Sequence, residues 1–73
     1  MKERVYLQTF GKRLRSLRKI RGWSQEVLAE QAGLHPTYIG GIERGERNPS
    51  LINLVRLAKA LSLSLAELVD IVI

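Results

Sequence analysis

Four residues within a short span constrain this chain more than any other feature: Ser24, Gly33, Pro36 and Gly45. Ser24 is a strong N-cap type, because its hydroxyl can accept from an unpaired N–H of a first helical turn. Gly33 is free to take a positive φ, which a short turn between helices needs. Pro36 suits a first helical position, where its missing N–H costs nothing. The spacing predicts two short helices, 25–32 and 36–45, joined by a tight turn at Gly33. Ala29 is small where two such helices cross closely, and Leu28, Ile39 and Ile42 fall where the wedge between them must be filled.

The rest of the chain reads as three more helices around the same core, and no segment shows sustained strand alternation. Leu7, Phe10, Leu14 and Leu17 repeat at spacings of three and four, predicting a helix over 7–21 ended by Gly22. Residues 1–6 are expected as a flexible N-terminus. Trp23 and Leu28 sit at the positions of a hydrophobic staple. Asn48-Pro49-Ser50 is a turn followed by an N-cap. A fourth helix follows over 51–61, with Leu54, Leu57, Ala58 and Leu61 on one face. Ser64 and Glu67 have the spacing of a capping box, opening a fifth helix that carries Leu65, Leu68, Val69, Val72 and Ile73. The expected architecture is one all-α domain over 1–73, five short helices on one core.

Composition limits what such a domain can do. With 73 residues, it buries only about 60% of its unfolded surface. It has no cysteine and a single histidine, His35, so neither a disulfide nor a His/Cys metal site is expected. The same shortage excludes Ser/His/Asp and Cys/His catalytic sets. No cofactor, small-molecule ligand or enzymatic activity is expected. No apolar run approaches the roughly 20 residues of a membrane span, and no signal peptide is visible, so the expected location is cytoplasmic. Net charge is +5, unevenly placed. Residues 1–22 carry 8 − 1 = +7, residues 23–50 carry 2 − 4 = −2, and residues 51–73 balance. A basic first helix suits a polyanion such as the DNA backbone, and equally a plain solvated face.

At these residues the chain resembles the helix-turn-helix domains of phage repressor and Cro proteins, within the xenobiotic-response-element type group. The matching residues are Ser24-Gln25-Glu26, Leu28-Ala29, Gly33-Leu34, Tyr38-Ile39, Ile42-Glu43-Arg44-Gly45, Arg47-Asn48-Pro49-Ser50 and Leu54…Ala58…Leu61. The run Thr37 to Asn48 is similar to that of the controller proteins of restriction–modification systems. The resemblance implies a five-helix, lambda-repressor-like domain, bacterial or phage-encoded. It implies a transcriptional regulator that binds a pseudo-palindromic operator in double-stranded DNA as a homodimer.

The resemblance also implies roles. Gln25, at a helix N-terminus, anchors a phosphate, and Arg18 and Glu43 form an internal ion pair. Base reading falls to Pro36, Thr37 and Gly41, and by similarity to controller proteins also to Arg47. His35, Tyr38, Arg44 and Asn48 lie beside the DNA backbone. Repressors often place long amides where this chain has Pro36 and Gly41, which cannot bond base edges in pairs. Gly40 and Gly41 each cost about 1 kcal/mol inside a helix relative to alanine, which points to a close approach by DNA or by a packed neighbour. Readout therefore leans on Thr37, Arg47 and DNA shape. Leu65, Val69, Val72 and Ile73 form the expected dimer surface. A rival reading keeps the fold as a protein-interaction module, antitoxin-like or scaffold. A membrane-surface role is disfavoured because the basic helix lacks aromatic anchors.

Overall fold

The computed structural model describes residues 2–72 and is helical throughout its regular structure. Its elements are α1 (Lys2–Ile20), α2 (Gln25–Ala32), α3 (Pro36–Glu43), α4 (Leu51–Ala60) and α5 (Leu65–Leu68). The caps form as the residue types demand. Ser24 Oγ accepts from Val27 N–H at 3.1 Å, and Ser50 Oγ from Asn53 N–H at 3.1 Å. Ser64 and Glu67 complete a reciprocal box, with bonds of 3.0 Å and 2.8 Å. These bonds hold the Glu67 carboxyl below its ordinary pKa. At Gly33, φ is 68°, and the turn lets Leu34 N–H reach Ala29 O at 2.9 Å.

Leu14, Leu28, Ile39, Ile42, Leu57 and Leu68 are fully buried, one or two from each helix. Phe10, Ala29, Ala32, Ala58 and Leu61 complete the core, and Trp23 packs half-buried against it. Burying one such aliphatic side chain is worth about 1.5–3 kcal/mol, so six of them carry much of a small domain's stability.

Two ends of the chain depart from the sequence expectation. The first helix begins at Lys2, so residues 2–6 extend α1 where a flexible segment was expected. Apolar periodicity cannot detect this extension, because Val5 and Tyr6 are exposed. Glu3 in the first turn favours the helix start. At the other end α5 is a single turn: Val69 caps it, and Val72 lies beyond it, 95% exposed. Ile71 folds back against the core instead of continuing the helix. Ile73 lies outside the described residues.

Gly11 sits in the middle of α1 and sets how closely α1 meets α3. A β-carbon there would strike Ile42 O and lie 2.6 Å from Glu43 O. Both obstacles are backbone, so neither can swing aside. Gly11→Ala is therefore expected to destabilise the domain by about 1–3 kcal/mol, read as a lower urea midpoint with an unchanged slope.

Candidate nucleic-acid interface

The interface is organised by a buried ion pair. Arg18 Nε donates to Glu43 Oε2 at 2.7 Å and Nη2 donates to Oε1 at 2.8 Å, a two-pronged bond between α1 and the end of α3. The side chains are only 10% and 4% exposed. Arg18 Nη1 also donates to Trp23 O at 2.8 Å, fixing the link into α2. The Glu43 hydrogen bond raises the Arg18 pKa further above its already high ordinary value, so the guanidinium stays charged. Gln25, the first residue of α2, donates from Nε2 to Glu43 Oε1 at 3.2 Å. One amide hydrogen of Gln25 is thus committed inward, which sets the side chain's orientation at the helix N-terminus.

At the start of α3, His35 is the N-cap: its Nδ1 accepts from Thr37 N–H at 3.1 Å. Thr37 is exposed beside it and Pro36 half-buried. Tyr38 is turned partly inward, and its hydroxyl oxygen accepts from Asn53 Nδ2 at 3.1 Å, tying α3 to α4. Its phenolic hydrogen remains available to an outside acceptor.

Gly40 and Gly41 are both buried, so Gly41, expected among the base-reading positions, is covered here by a neighbouring side chain. Arg47 lies over it: a β-carbon on Gly41 would be 2.6 Å from Arg47 Cγ. Gly40 is covered likewise, its β-carbon position being 3.0 Å from Arg44 Nη1 and 3.3 Å from Gln25 Oε1. The two glycines are seats. Long side chains from outside α3 lie across it where its own side chains are missing.

Arg44 pairs with Glu46 at 3.1 Å, and both side chains are more than half exposed, so the pair adds little stability. Its hydrogen bond lowers the Glu46 carboxyl's pKa. Glu46 is thereby engaged by Arg44 and not by Arg47. Arg47 and Asn48 are exposed at the edge of α3.

The basic first helix divides its charge. Arg18 is paired, while Arg13 Nη2 and Arg21 Nη2 donate to the carbonyls of Glu67 and Leu61, each at 2.7 Å. Lys12 and Arg15 remain exposed, and with Gln8, Glu43 and Arg44 they line a cleft of about 420 Å³ between α1 and the end of α3. Gln8 also covers Gly45, where a β-carbon would meet its Cγ at 2.6 Å. Gly11, Gln8 and Asn53 escape a reading of the sequence. Only Gly11 leaves a signal, as a glycine inside an otherwise favourable helix. Among the described residues no group of His, Cys, Asp and Glu could hold a metal ion, and no helix is long and apolar enough to cross a membrane.

A helix-turn-helix family profile matches residues 14–68. Control protein C.SmaI of Serratia marcescens is 56% identical over 55 residues, 75% of this chain and 66% of its own length. Control protein C.BamHI of Bacillus amyloliquefaciens is 45% identical over 62 residues, 84% of this chain and 76% of its own. Among solved structures, the restriction-modification controller protein C.AhdI from Aeromonas hydrophila superposes with a TM-score of 0.83 at 53% identity, over 85% of this chain and 94% of that one. The biofilm regulator SinR, solved in complex with DNA, gives a TM-score of 0.78 at 37% identity, over 84% of this chain and 98% of that one.

Removing the Glu43 carboxylate strands the buried Arg18 charge. Glu43→Ala is expected to cost about 3–5 kcal/mol, measured by chemical denaturation. A loss below about 1 kcal/mol would show that the pair does not organise the fold.

Proposed function

This chain belongs to the helix-turn-helix family, and from that premise we propose that it is a transcriptional regulator binding a pseudo-palindromic operator in double-stranded DNA as a homodimer, the controller of a restriction–modification system. The observation that carries this reading is the seating of Arg47 over Gly41, next to exposed Thr37 at the start of α3. It supplies a long cationic side chain to a recognition helix that otherwise offers few side chains for base edges. Arginine is the residue best suited to bond guanine in pairs. Gln25 and the first turn of α2 take a phosphate, since a helix N-terminus favours anions. His35, Tyr38, Arg44 and Asn48 add backbone contacts, and Lys12 and Arg15 continue the positive surface along α1. Pro36 and Gly41, which offer no paired contacts to base edges, are the features favouring a protein-interaction module, and the seating of Arg47 over Gly41 weighs against that reading.

The homodimer reading rests on apolar surface near the C-terminus. Val69 is 38% and Val72 95% exposed, while Leu65 is half-buried in the core. Leu51 and Ile52, at the start of α4, are 65% and 67% exposed and extend the expected set. One recognition helix is too small a reader for a genome, and a two-fold dimer doubles the site. Sedimentation should give a dimer at low micromolar concentration that Ile52→Asp converts to monomer.

Site selection from a random duplex pool, followed by anisotropy titrations at several salt concentrations, tests the whole reading. A preferred palindromic site whose affinity falls steeply with salt is expected. Equal affinity for all duplexes would overturn it. Arg47→Ala should lose about 1–3 kcal/mol of discrimination at one base pair, while Gln25→Ala weakens all sequences alike. Gly41→Ala should reproduce the Arg47→Ala loss by displacing the Arg47 stem, although no charge is removed. Its melting temperature should stay level or rise, because alanine is the better helix former.

A further inference from the structure

A cleft lies away from Gln25, at the other end of α2. It measures about 520 Å³ and is lined by Arg21, Trp23, Gln31, Arg56, Lys59 and Ser62, with two alanines. Three of these residues are cations and none is an acid. Like charges from the end of α1 and from α4 converge here with no carboxylate in the lining. Such an arrangement raises the local concentration of anions.

Two features show a site built in advance of its ligand. Arg21 is held from two sides: Nη2 donates to Leu61 O at 2.7 Å, and the guanidinium lies 5.1 Å from the Trp23 ring centroid. The rest of its donor fork is left for an anion, and little side-chain freedom remains to be lost on binding. Second, Ser62 has φ of 56°, the only non-glycine residue in the left-handed region among the described residues. The corresponding turns after α1, α2 and α3 use Gly22, Gly33 and Gly45, at φ of 71°, 68° and 75°. The turns after α1 and α4 both border the cleft, through Arg21 and Trp23 and through Ser62, and only the second places a serine at positive φ, where it adds a hydroxyl to the lining. Strained positions of this kind gather at functional sites.

We infer that this cleft binds a small polyphosphate anion, such as the phosphate chain of a nucleotide. Tetrahedral phosphates offer oxygens in several directions, matching donors that arrive from three helices; a single planar carboxylate does not. A cleft of this size exceeds one phosphate and suits a linked pair or triplet. Composition alone gives no reason to expect a small-molecule ligand; the convergence of Arg21, Arg56 and Lys59 supplies it.

Trp23 is the chain's single tryptophan and lines the cleft, so its fluorescence reports occupancy directly. Titration with inorganic tripolyphosphate at fixed ionic strength should give a saturable change in emission. Arg56→Ala and Lys59→Ala, both at exposed positions, should each weaken binding about tenfold, as loss of a charge-assisted hydrogen bond does. Arg4→Ala, which removes a cation outside the cleft, should leave it unchanged. The inference falls if sulfate at matched ionic strength gives the same curve, or if Arg4→Ala weakens binding as much as Lys59→Ala. It also falls if random duplex DNA produces the same Trp23 change and loses it in Arg56→Ala, since the cleft would then be part of the DNA surface. Operator affinity is measured separately by anisotropy, so regulator function can stand or fail independently of these outcomes.

Discussion

The Arg18–Glu43 pair is the contact on which the rest of the interface depends. Four pieces of chain meet at it: α1 through Arg18, the α1–α2 link through Trp23 O, the start of α2 through Gln25, and the end of α3 through Glu43. Buried ion pairs are poor sources of stability in general, because desolvation offsets the Coulomb attraction. What this one supplies is register. The two-pronged geometry admits one rotation of α3 against α1, and that rotation decides which face of α3 turns outward. Packing of Ile39 and Ile42 alone would tolerate small slides; the fork bond does not.

Close approach is the second constraint, and glycine provides it at each place where α3 is covered. Gly11 brings the α1 backbone onto the carbonyls that end α3. Gly40 and Gly41 then let Gln25, Arg44 and Arg47 lie flat on the outer side of α3. The helix carries a high propensity cost for a segment of eight residues, with two adjacent glycines in it. The cost falls where a β-carbon would push the covering side chains away, so local helix preference and surface geometry are in direct conflict there, and geometry prevails.

Those two constraints explain how far the sequence could be read. Elements announced by caps were legible: Ser24, Gly33, Pro36, Ser50 and the Ser64–Glu67 box each mark a boundary through bonds made within a few residues. The ion pair was legible only through resemblance, because Arg18 and Glu43 are 25 positions apart and no local rule connects them. The start of α1 was missed because its first turns bury little and leave no periodic stripe. The length of α5 was overread for the opposite reason. An apolar run at the C-terminus continues the stripe on paper, but the chain leaves the helix after one turn and returns Ile71 to the core. Gly41 stands out in the sequence as an oddity, but the residue that covers it comes from the next loop, so no local rule links it to Arg47.

Positive charge shows the same gap between inventory and arrangement. A count over residues 1–22 suggests a single basic helix facing one polyanion. In the fold that charge is divided among unlike tasks. Arg18 neutralises a buried carboxylate, and Arg13 and Arg21 satisfy carbonyls at the ends of α5 and α4. Leu61 O, past the last turn of α4, gains its partner from Arg21, while Glu67 O, which already accepts from Asp70 N–H, gains a second from Arg13. Lys12 and Arg15 stay exposed and line the cleft that reaches the end of α3. Arg21 has a second role, because its bond to Leu61 O holds its guanidinium at a separate cationic cleft at the far end of α2. Net charge therefore predicts the class of partner better than it predicts the binding face. The face is set by which arginines the helix ends have already claimed.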